Sequence, residues 1–236
     1  MSTPHTSLSI NANAVMQTGS IRLTLCGRNW TLLRPTDLET LWESIDDEEF
    51  GADERLPYWV ELWPASLALA VWLNRNRSRI AGRRCLDLGC GLGFTALFGV
   101  WLGARVLAMD YEAEALAFAR KNAAANALPD PLWTLMDWRR PAVTPKSCDF
   151  IWGGDVMYEK RFVDPVMAFL DHALADGGVA WMAEPGREAY DDFKRALLSR
   201  GWRSSRIAQE RVTPLHVQNT PVTVNLWELT RGNTFL

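Results

Sequence analysis

From residue 57 onward, the pattern of hydrophobic and polar residues alternates at regular intervals between one typical of strands and one typical of helices. Short apolar runs, such as RRCLDLG (83–89) and ARVLAMD (104–110), predict buried strands. Longer amphipathic or alanine-rich runs over 94–103 and 112–126 predict helices. Strands that alternate with helices in this way are typical of βαβ units and a parallel sheet.

The remaining patterns complete an α/β, Rossmann-like, doubly wound fold. They predict strands over 132–138, 148–156 and 177–185, and helices after Pro64, over 162–174 and over 188–202. Two β-rich runs, 203–212 and 220–230, predict an antiparallel hairpin at one edge of a mostly parallel seven-stranded sheet. Alternating runs around Gly27 predict a further small N-terminal β-hairpin.

We therefore divide the chain into two parts. Residues 1–55 form an N-terminal extension with a flexible lead, the β-hairpin and an acidic segment, and residues 56–236 form the main domain. The acidic segment holds nine acids between Asp37 and Glu54 without a basic residue. It is either solvated surface or a docking strip for a basic substrate.

Composition narrows the class of protein. The chain has 236 residues and a net charge of −3, so no overall basic field favours nucleic acid or an anionic membrane. The longest apolar stretch, Leu62–Leu73, is interrupted by Pro64 and is too short to cross a bilayer. The four cysteines show no C-x-x-C spacing, and the first twenty residues show no signal-peptide pattern. These features predict reduced thiols and a cytoplasmic location.

Four predicted strands end in residues suited to a ligand. Gly89, Cys90, Gly91 and Gly93 follow the first strand, Asp110 ends the second, Asp137 and Trp138 follow the third, and Gly154 and Asp155 follow the fourth. Ligands of open α/β sheets lie beyond the carboxyl ends of the strands. We therefore expect these residues to line one crevice.

The spacing favours a nucleoside. Asp110 lies 17 residues past Gly93, where a carboxylate accepts from both ribose hydroxyls, although it also suits a helix cap. Asp137 and Trp138 would meet the base, with core packing as the alternative for Trp138. A nicotinamide dinucleotide remains open, because the G-x-G-x-x-A pattern also fits from Gly91. Asp87, inside the first strand, instead suits a cationic ligand such as S-adenosylmethionine.

These motifs resemble a known family. D-L-G-C-G-x-G at 87–93, Asp110 and the glycine pair of LADGGVAWM together resemble class I S-adenosylmethionine-dependent methyltransferases. Trp63 in ELWPAS, Trp138 in LMDW and the D-x-x-Y motif of Asp155 and Tyr158 are similar to methyltransferase family 16, a protein-lysine methyltransferase group. PYWVELWPAS is similar in particular to the branch that modifies an electron-transfer flavoprotein subunit.

The resemblance implies which residues contact the cofactor and which act on the acceptor. The expected cofactor-binding residues are Trp63, Asp87, Gly89, Cys90, Gly91, Gly93, Asp110, Asp137, Trp138 and Gly154. Asp155 and Tyr158 are the expected catalytic pair, each with a structural role as the alternative. No metal is needed, because methyl transfer from a sulfonium is an in-line displacement that depends on orientation.

We expect S-adenosylmethionine to be the methyl donor, S-adenosylhomocysteine the product, and a protein lysine the acceptor. Asp155 would first receive the lysine ammonium, and Trp59, Trp63 and Trp152 would form pocket walls. Glu61 and Glu184 are further acids that would face the same side. A small-molecule N-methyltransferase is the first alternative, and a non-catalytic S-adenosylmethionine-binding accessory protein is the second. The N/D-P-P-Y/F motif of base-modifying enzymes is absent after the fourth strand.

Overall fold

The computed structural model describes residues 9–10, 13–17, 19–36, 57–215 and 220–232. The acidic segment 37–54, together with the helix expected at its start, lies outside these residues. The same holds for residues 1–8 of the lead.

The strands form two sheets in the described part of the chain. Their bounds, in chain order, are β1 (Ser9–Ile10), β2 (Asn13–Gln17), β3 (Ser20–Leu25), β4 (Arg28–Leu33), β5 (Arg84–Leu88), β6 (Arg105–Asp110), β7 (Leu132–Leu135), β8 (Cys148–Gly154), β9 (Leu174–Glu184), β10 (Trp202–Val212) and β11 (Val222–Arg231). The large sheet has the order β1-β10-β11-β9-β8-β5-β6-β7, and β2-β3-β4 form the small one.

The large sheet is parallel from β7 to β9 and antiparallel at β11 and β10. This arrangement confirms the predicted mostly parallel seven-stranded sheet with an antiparallel edge pair. The last strand of the chain, β11, lies between β9 and β10, so the hairpin adds to the sheet through its second strand. The two-residue β1 extends the same edge beyond β10.

Helices cover both faces of the large sheet. They are α1 (Pro64–Arg75), α2 (Arg77–Ile80), α3 (Phe94–Trp101), α4 (Ala113–Ala125), α5 (Val163–Ala173) and α6 (Glu188–Ser199), with 3-10 turns at Tyr58–Val60 and Lys160–Phe162. A first hydrophobic cluster joins α1 and α3 to the small sheet, a second joins α5 and α6 to the opposite face, and a small third one lies around Trp59. None of the helices in the described residues combines the length and hydropathy needed to cross a bilayer.

The N-terminal sheet packs on the main domain through one aromatic group. The hairpin of β3 and β4 turns at Cys26 and Gly27, which have φ angles of 51° and 76°, as predicted around Gly27. Trp30 of β4 stacks on Phe98 of α3 with the ring centroids 5.0 Å apart. Residues of the extension and of the main domain therefore share one core. The boundary drawn at residue 55 remains a prediction.

Part of the expected flexible lead is ordered. Residues 13–17 form β2, which pairs antiparallel with β3, and residues 9–10 pair with β10. These two segments therefore have strand structure that the sequence pattern did not predict, and the flexibility of the lead remains a prediction. The physical reason is that β3 and β10 offer unpaired backbone donors and acceptors at their edges, which a local pattern does not reveal.

Two asparagines of α4 take the place of a strand beside β4. The side chain of Asn126 accepts from the N–H of Thr31 at 2.9 Å and donates to its carbonyl at 2.7 Å. Asn122 does the same with Leu33, accepting at 2.6 Å and donating at 3.2 Å, and it also donates to the Leu92 carbonyl at 2.9 Å. The edge of β4 is thus satisfied by a helix, and Asn122 connects that edge to the loop after β5.

We expect Asn122→Ala to lower the free energy of unfolding by about 3 kcal/mol, because three buried backbone groups lose a partner worth roughly 1 kcal/mol each. The midpoint of urea unfolding measures the change. Asn74→Ala, at a half-buried asparagine of α1, is the matched control and should change stability little. Equal effects of the two variants would contradict the bridging role of Asn122.

Candidate active site

A pocket of about 400 Å³ opens where the carboxyl ends of the parallel strands meet. This volume lies within the range of small-molecule sites. Nine of the predicted site residues line it: Trp63, Gly89, Cys90, Gly91, Asp110, Trp138, Gly154, Asp155 and Tyr158. Four strand ends and the segment before α1 therefore contribute to one crevice, as the spacing along the chain predicted.

The loop after β5 depends on glycine at two positions for different reasons. Gly91 has a φ of 51° and faces the pocket, where a Cβ would lie 3.4 Å from the carbonyl oxygen of Trp59. Gly93 has a φ of 81°, and a Cβ there would lie only 2.8 Å from the Cβ of Ala119 in α4. Gly91 thus allows the turn at Trp59 to lie close to the loop, whereas Gly93 allows α4 to approach the start of α3.

Asp110 joins the first two strand ends. Its Oδ2 accepts from the N–H of Gly91 at 2.8 Å, and its Oδ1 accepts from the N–H of Glu112 at 3.0 Å. Burial raises the pKa of this carboxyl, and the backbone donors oppose the increase. The N–H of Tyr111 is a third backbone donor, and the acceptor capacity that remains on the two oxygens is open to a ligand hydroxyl.

An aromatic wall closes one side of the pocket. Tyr58 contacts both Tyr158, at a centroid distance of 5.2 Å, and Trp63, at 6.1 Å. Phe162 contacts Tyr158 at 5.0 Å and Trp138 at 5.2 Å, so the wall is continuous from the segment before α1 to the loop after β7. Burial raises the pKa of the Tyr158 hydroxyl, which is therefore neutral and able to donate at physiological pH.

Asp155 is held in a fixed position at the end of β8. Its φ is 56°, in the left-handed region, and its N–H donates to the carbonyl of Ala183 at 2.8 Å. Its buried carboxylate accepts from Arg187 at both oxygens, from Nε at 3.0 Å and from Nη2 at 2.7 Å. Burial raises the pKa of Asp155, and the Arg187 guanidinium opposes the increase.

Glu184 at the end of β9 holds the loop that carries Arg187. Its Oε2 accepts from the N–H groups of Gly186 and Arg187, the latter at 3.1 Å. Its Oε1 accepts from Asn225 Nδ2 at 2.9 Å and from Trp227 Nε1 at 3.0 Å. Glu184 is therefore a buried anchor for the loop and is not part of the pocket lining, whereas Glu61 lines the pocket and accepts from Arg34 at 2.6 Å.

Three predicted cofactor-binding residues do not line the pocket. Asp87 lies beneath it and accepts from the hydroxyl of Thr95 at 2.6 Å, and Thr95 itself is part of the lining. Gly93 faces α4, as described above. Asp137 accepts from the N–H and the Nε of Arg139, at 2.8 and 2.7 Å. Direct contact of these three with a cofactor remains a prediction.

The expected pocket wall at Trp152 is wrong, because this side chain is fully buried in the sheet core. It packs at Gly99 of α3, where a Cβ would lie 2.9 Å from the indole ring.

Sequence reasoning missed several lining residues, above all Arg187, Tyr58, Tyr111 and Glu112. Tyr111 and Glu112 directly follow β6, so the strand-end rule that selected Asp110 also reaches them. Arg187 follows a Pro-Gly pair after β9 and is subject to the same rule. Tyr58 carries no comparable signal, because a 3-10 turn far from any strand end brings it to the pocket.

Comparison with known families agrees with this geometry. Residues 85–178 match the family model described as a methyltransferase domain. The match begins within β5, and it includes the glycine loop, Asp110, Trp138 and the D-x-x-Y motif.

The chain is similar to curated protein-lysine methyltransferases. It is 33% identical over 145 residues to the electron transfer flavoprotein beta subunit lysine methyltransferase of Danio rerio, covering 60% of this chain and 55% of that protein. It is 26% identical over 163 residues to the protein N-lysine methyltransferase METTL21A of Mus musculus, covering 66% and 74%. The chain thus spans about half the length of the flavoprotein-subunit methyltransferases it matches.

Solved structures share the fold. The chain resembles TYW2 of P. horikoshii, solved in complex with MeSAdo, with a TM-score of 0.55 and 15% identity over 92% of this chain and 73% of that one. These similarities confirm the predicted class I methyltransferase fold and the resemblance to family 16.

Asp87 makes the stability of the ligand-free protein depend on pH. Burial raises its pKa from 3.8 to about 7, so the folded protein binds a proton that the unfolded chain releases. The neutral carboxyl stabilises the fold at low pH, and this stability is lost as the pH rises to 7. We expect Asp87→Asn to be more stable than the wild type above pH 7, by on the order of 4 kcal/mol, and equal to it near pH 4.

Urea unfolding between about pH 4.5 and 8.5 tests this dependence. Asp149→Asn is the control, because a hydrogen bond from Arg84 lowers the pKa of Asp149. Asp149 is charged throughout this range in both states, so its variant should differ from the wild type by a constant amount. A constant difference for Asp87→Asn as well would exclude a raised pKa.

Proposed function

We propose that this protein is an S-adenosylmethionine-dependent methyltransferase that transfers a methyl group to the side-chain amine of a protein lysine. The observation that carries the proposal is that Gly91, Asp110, Asp155 and Tyr158 line one pocket. We assign Gly91 and Asp110 to a nucleoside-binding half of the pocket, and Asp155 and Tyr158 to an acceptor half. The similarity to two groups of protein-lysine methyltransferases supports the acceptor class.

The residues present fit the methyl donor. Asp110 lines the pocket, and its carboxylate oxygens suit the two adjacent hydroxyls of a ribose. Gly91 also lines the pocket, and the buried indole of Trp138 offers a flat apolar surface for the base. Thr95 brings the pocket within one hydrogen bond of Asp87, which suits the cationic end of the donor.

S-adenosylmethionine supplies an electrophilic methyl group on a sulfonium. The protein has to align the acceptor nitrogen with that methyl group and exclude water, because orientation provides most of the rate enhancement. Asp155 and Tyr158 line the pocket, and their oxygens would accept from the N–H groups of the acceptor nitrogen, which leaves its lone pair for the methyl group. The aromatic wall keeps water from that side and favours a nitrogen that carries methyl groups.

Two alternatives remain. A small-molecule N-methyltransferase would use the same pocket, and an accessory protein would bind the donor without turnover. The acidic and aromatic acceptor half favours catalysis, since donor binding alone does not require it. The partner that we propose is a protein substrate, and we propose neither nucleic acid nor a membrane. We propose a cytoplasmic location, because the four cysteines are free thiols, as is usual in reducing compartments.

Mutations should separate the functions of the two halves of the pocket, donor binding and methyl transfer. Asp110→Ala removes the acceptors for both ribose hydroxyls, so we expect the affinity for S-adenosylhomocysteine to fall about 100-fold. Asp155→Ala should leave that affinity within a few fold and reduce methyl transfer to background. Calorimetry and a radiolabel assay measure the two properties, and thermal unfolding checks that each variant folds. Loss of both properties in Asp155→Ala would contradict the division of roles.

The acceptor class is tested with radiolabelled S-adenosylmethionine and a native lysate. We expect label in a discrete protein band, stable to base and recovered as methyl-lysine after hydrolysis. Asp155→Ala is the control for label from other enzymes. Label confined to the small-molecule fraction would support the metabolite alternative, and calorimetry without binding of donor or product would overturn the proposed function as a whole.

A further inference from the structure

The Asp155–Arg187 ion pair changes what the acceptor half of the pocket can bind. A free carboxylate at this position would attract the ammonium form of a lysine, as the sequence suggested. In the structure both oxygens of Asp155 accept from one guanidinium, at 3.0 and 2.7 Å. Bidentate pairs of this kind are among the strongest hydrogen-bonded ion pairs in proteins.

The backbones of both partners are held in place. The backbone of Asp155 is tied to Ala183, and Glu184 accepts from the N–H groups of Gly186 and Arg187. The side chain of Asp155 is only 6% exposed, so its charge depends on Arg187 for compensation. An ammonium that displaced the guanidinium would have to break two charge-assisted hydrogen bonds.

A neutral amine needs no such displacement. Each oxygen of Asp155 has about two acceptor positions, and the guanidinium occupies one, so an amine N–H can still be oriented by the remaining position. The cation of Arg187 also disfavours a second positive charge nearby. We propose that Arg187 determines the charge state in which the acceptor nitrogen binds: it holds Asp155 so that the pocket admits the free amine and rejects the ammonium.

This inference rests on the proposed function and adds a specificity-determining residue to it. The lysine loses its proton to solvent before it binds. In the transfer, its lone pair forms the new N–CH₃ bond while the S–CH₃ bond breaks and its electron pair stays on sulfur. The sulfonium becomes a thioether, and the methylated nitrogen carries the positive charge until it releases a proton to water.

Other ionisable groups surround the pair. Tyr58 before α1 and Glu184 after β9 act on its charges, and Glu61, residues 110–112, Tyr158 and Glu159 line the same pocket. Glu61 pairs with Arg34, Glu159 pairs with Arg161, and Glu184 accepts from four donors. Because these acids have donors of their own, Arg187 is the group whose removal most directly exposes Asp155.

The test separates the pH dependence of KM from that of kcat. The probe is the protein band that the wild type labels in the lysate, purified and titrated between about pH 7 and 9.5, below the ordinary pKa of lysine. If the free amine is the binding form, KM of the wild type falls about tenfold per pH unit and kcat is constant. Arg187→Gln frees Asp155 for the ammonium, so its KM should become constant while kcat rises about tenfold per pH unit.

Two further variants complete the design. Arg187→Lys keeps a cation beside Asp155 and should retain the wild-type pattern with weaker binding. Arg200→Gln removes an arginine of similar exposure, 37% against 40%, whose partner Asp164 lies outside the pocket lining, and it should match the wild type. A merely structural role of Arg187 would lower kcat and stability without moving the pH dependence from one parameter to the other.

The outcomes are distinguishable. No transfer by the wild type would count against the proposed function. Transfer by a wild type whose pH dependence lies in kcat would overturn the role of Arg187, even if Arg187→Gln does not fold. The same holds if Arg187→Gln transfers methyl groups and keeps its pH dependence in KM.

Discussion

The parallel register of β6, β5 and β8 is the constraint on which the pocket depends. Asp87 of β5 pairs with Ala108 of β6 on one side and with Trp152 of β8 on the other, so the three strands end side by side. The glycine loop, Asp110 and Asp155 emerge from these ends. A shift of one residue in any pairing would turn the corresponding side chain to the opposite face of the sheet. The hydrogen bond from Gly91 to Asp110 then joins two of the ends directly.

The acidic side chains of this region are buried, so the surrounding residues have to compensate their charge. The carboxyls of Asp87, Asp110 and Asp155 are all buried, and burial raises the pKa of each. The compensation differs: Asp87 accepts from a hydroxyl, Asp110 from backbone N–H groups and Asp155 from a guanidinium. Acids of the same type therefore have different environments around one pocket. In the function that we propose, the carboxylate beside the methyl donor accepts ligand hydroxyls, and the carboxylate beside the methyl acceptor already has a partner.

The N-terminal extension is connected to the pocket by a side chain of α4. Asn122 contacts Leu33 in the small sheet and Leu92 in the glycine loop, so a single buried side chain links the two. Arg34, directly after β4, pairs with Glu61 of the pocket lining. The small sheet thus supports the walls of the site as well as covering hydrophobic surface of α3.

The amino-acid pattern by itself determined the alternation of strands and helices, the parallel sheet and the nucleoside-binding half of the pocket. It could do so because the hydrophobic period and the position of a strand end are local properties of the chain. The rule that strand ends form the site can be applied without knowing any distance in the structure.

Tertiary structure alone decided which acids line the pocket. Asp87 lies beneath the lining, Asp137 accepts from its neighbour Arg139, and Asp155 accepts from an arginine 32 residues away. Ion pairs between distant segments and edge pairing such as that of β2 follow from packing, and no local pattern encodes them. The motif that begins at Asp87 therefore indicated where the pocket lies, and the fold decided that Asp155 reaches this pocket already paired with Arg187.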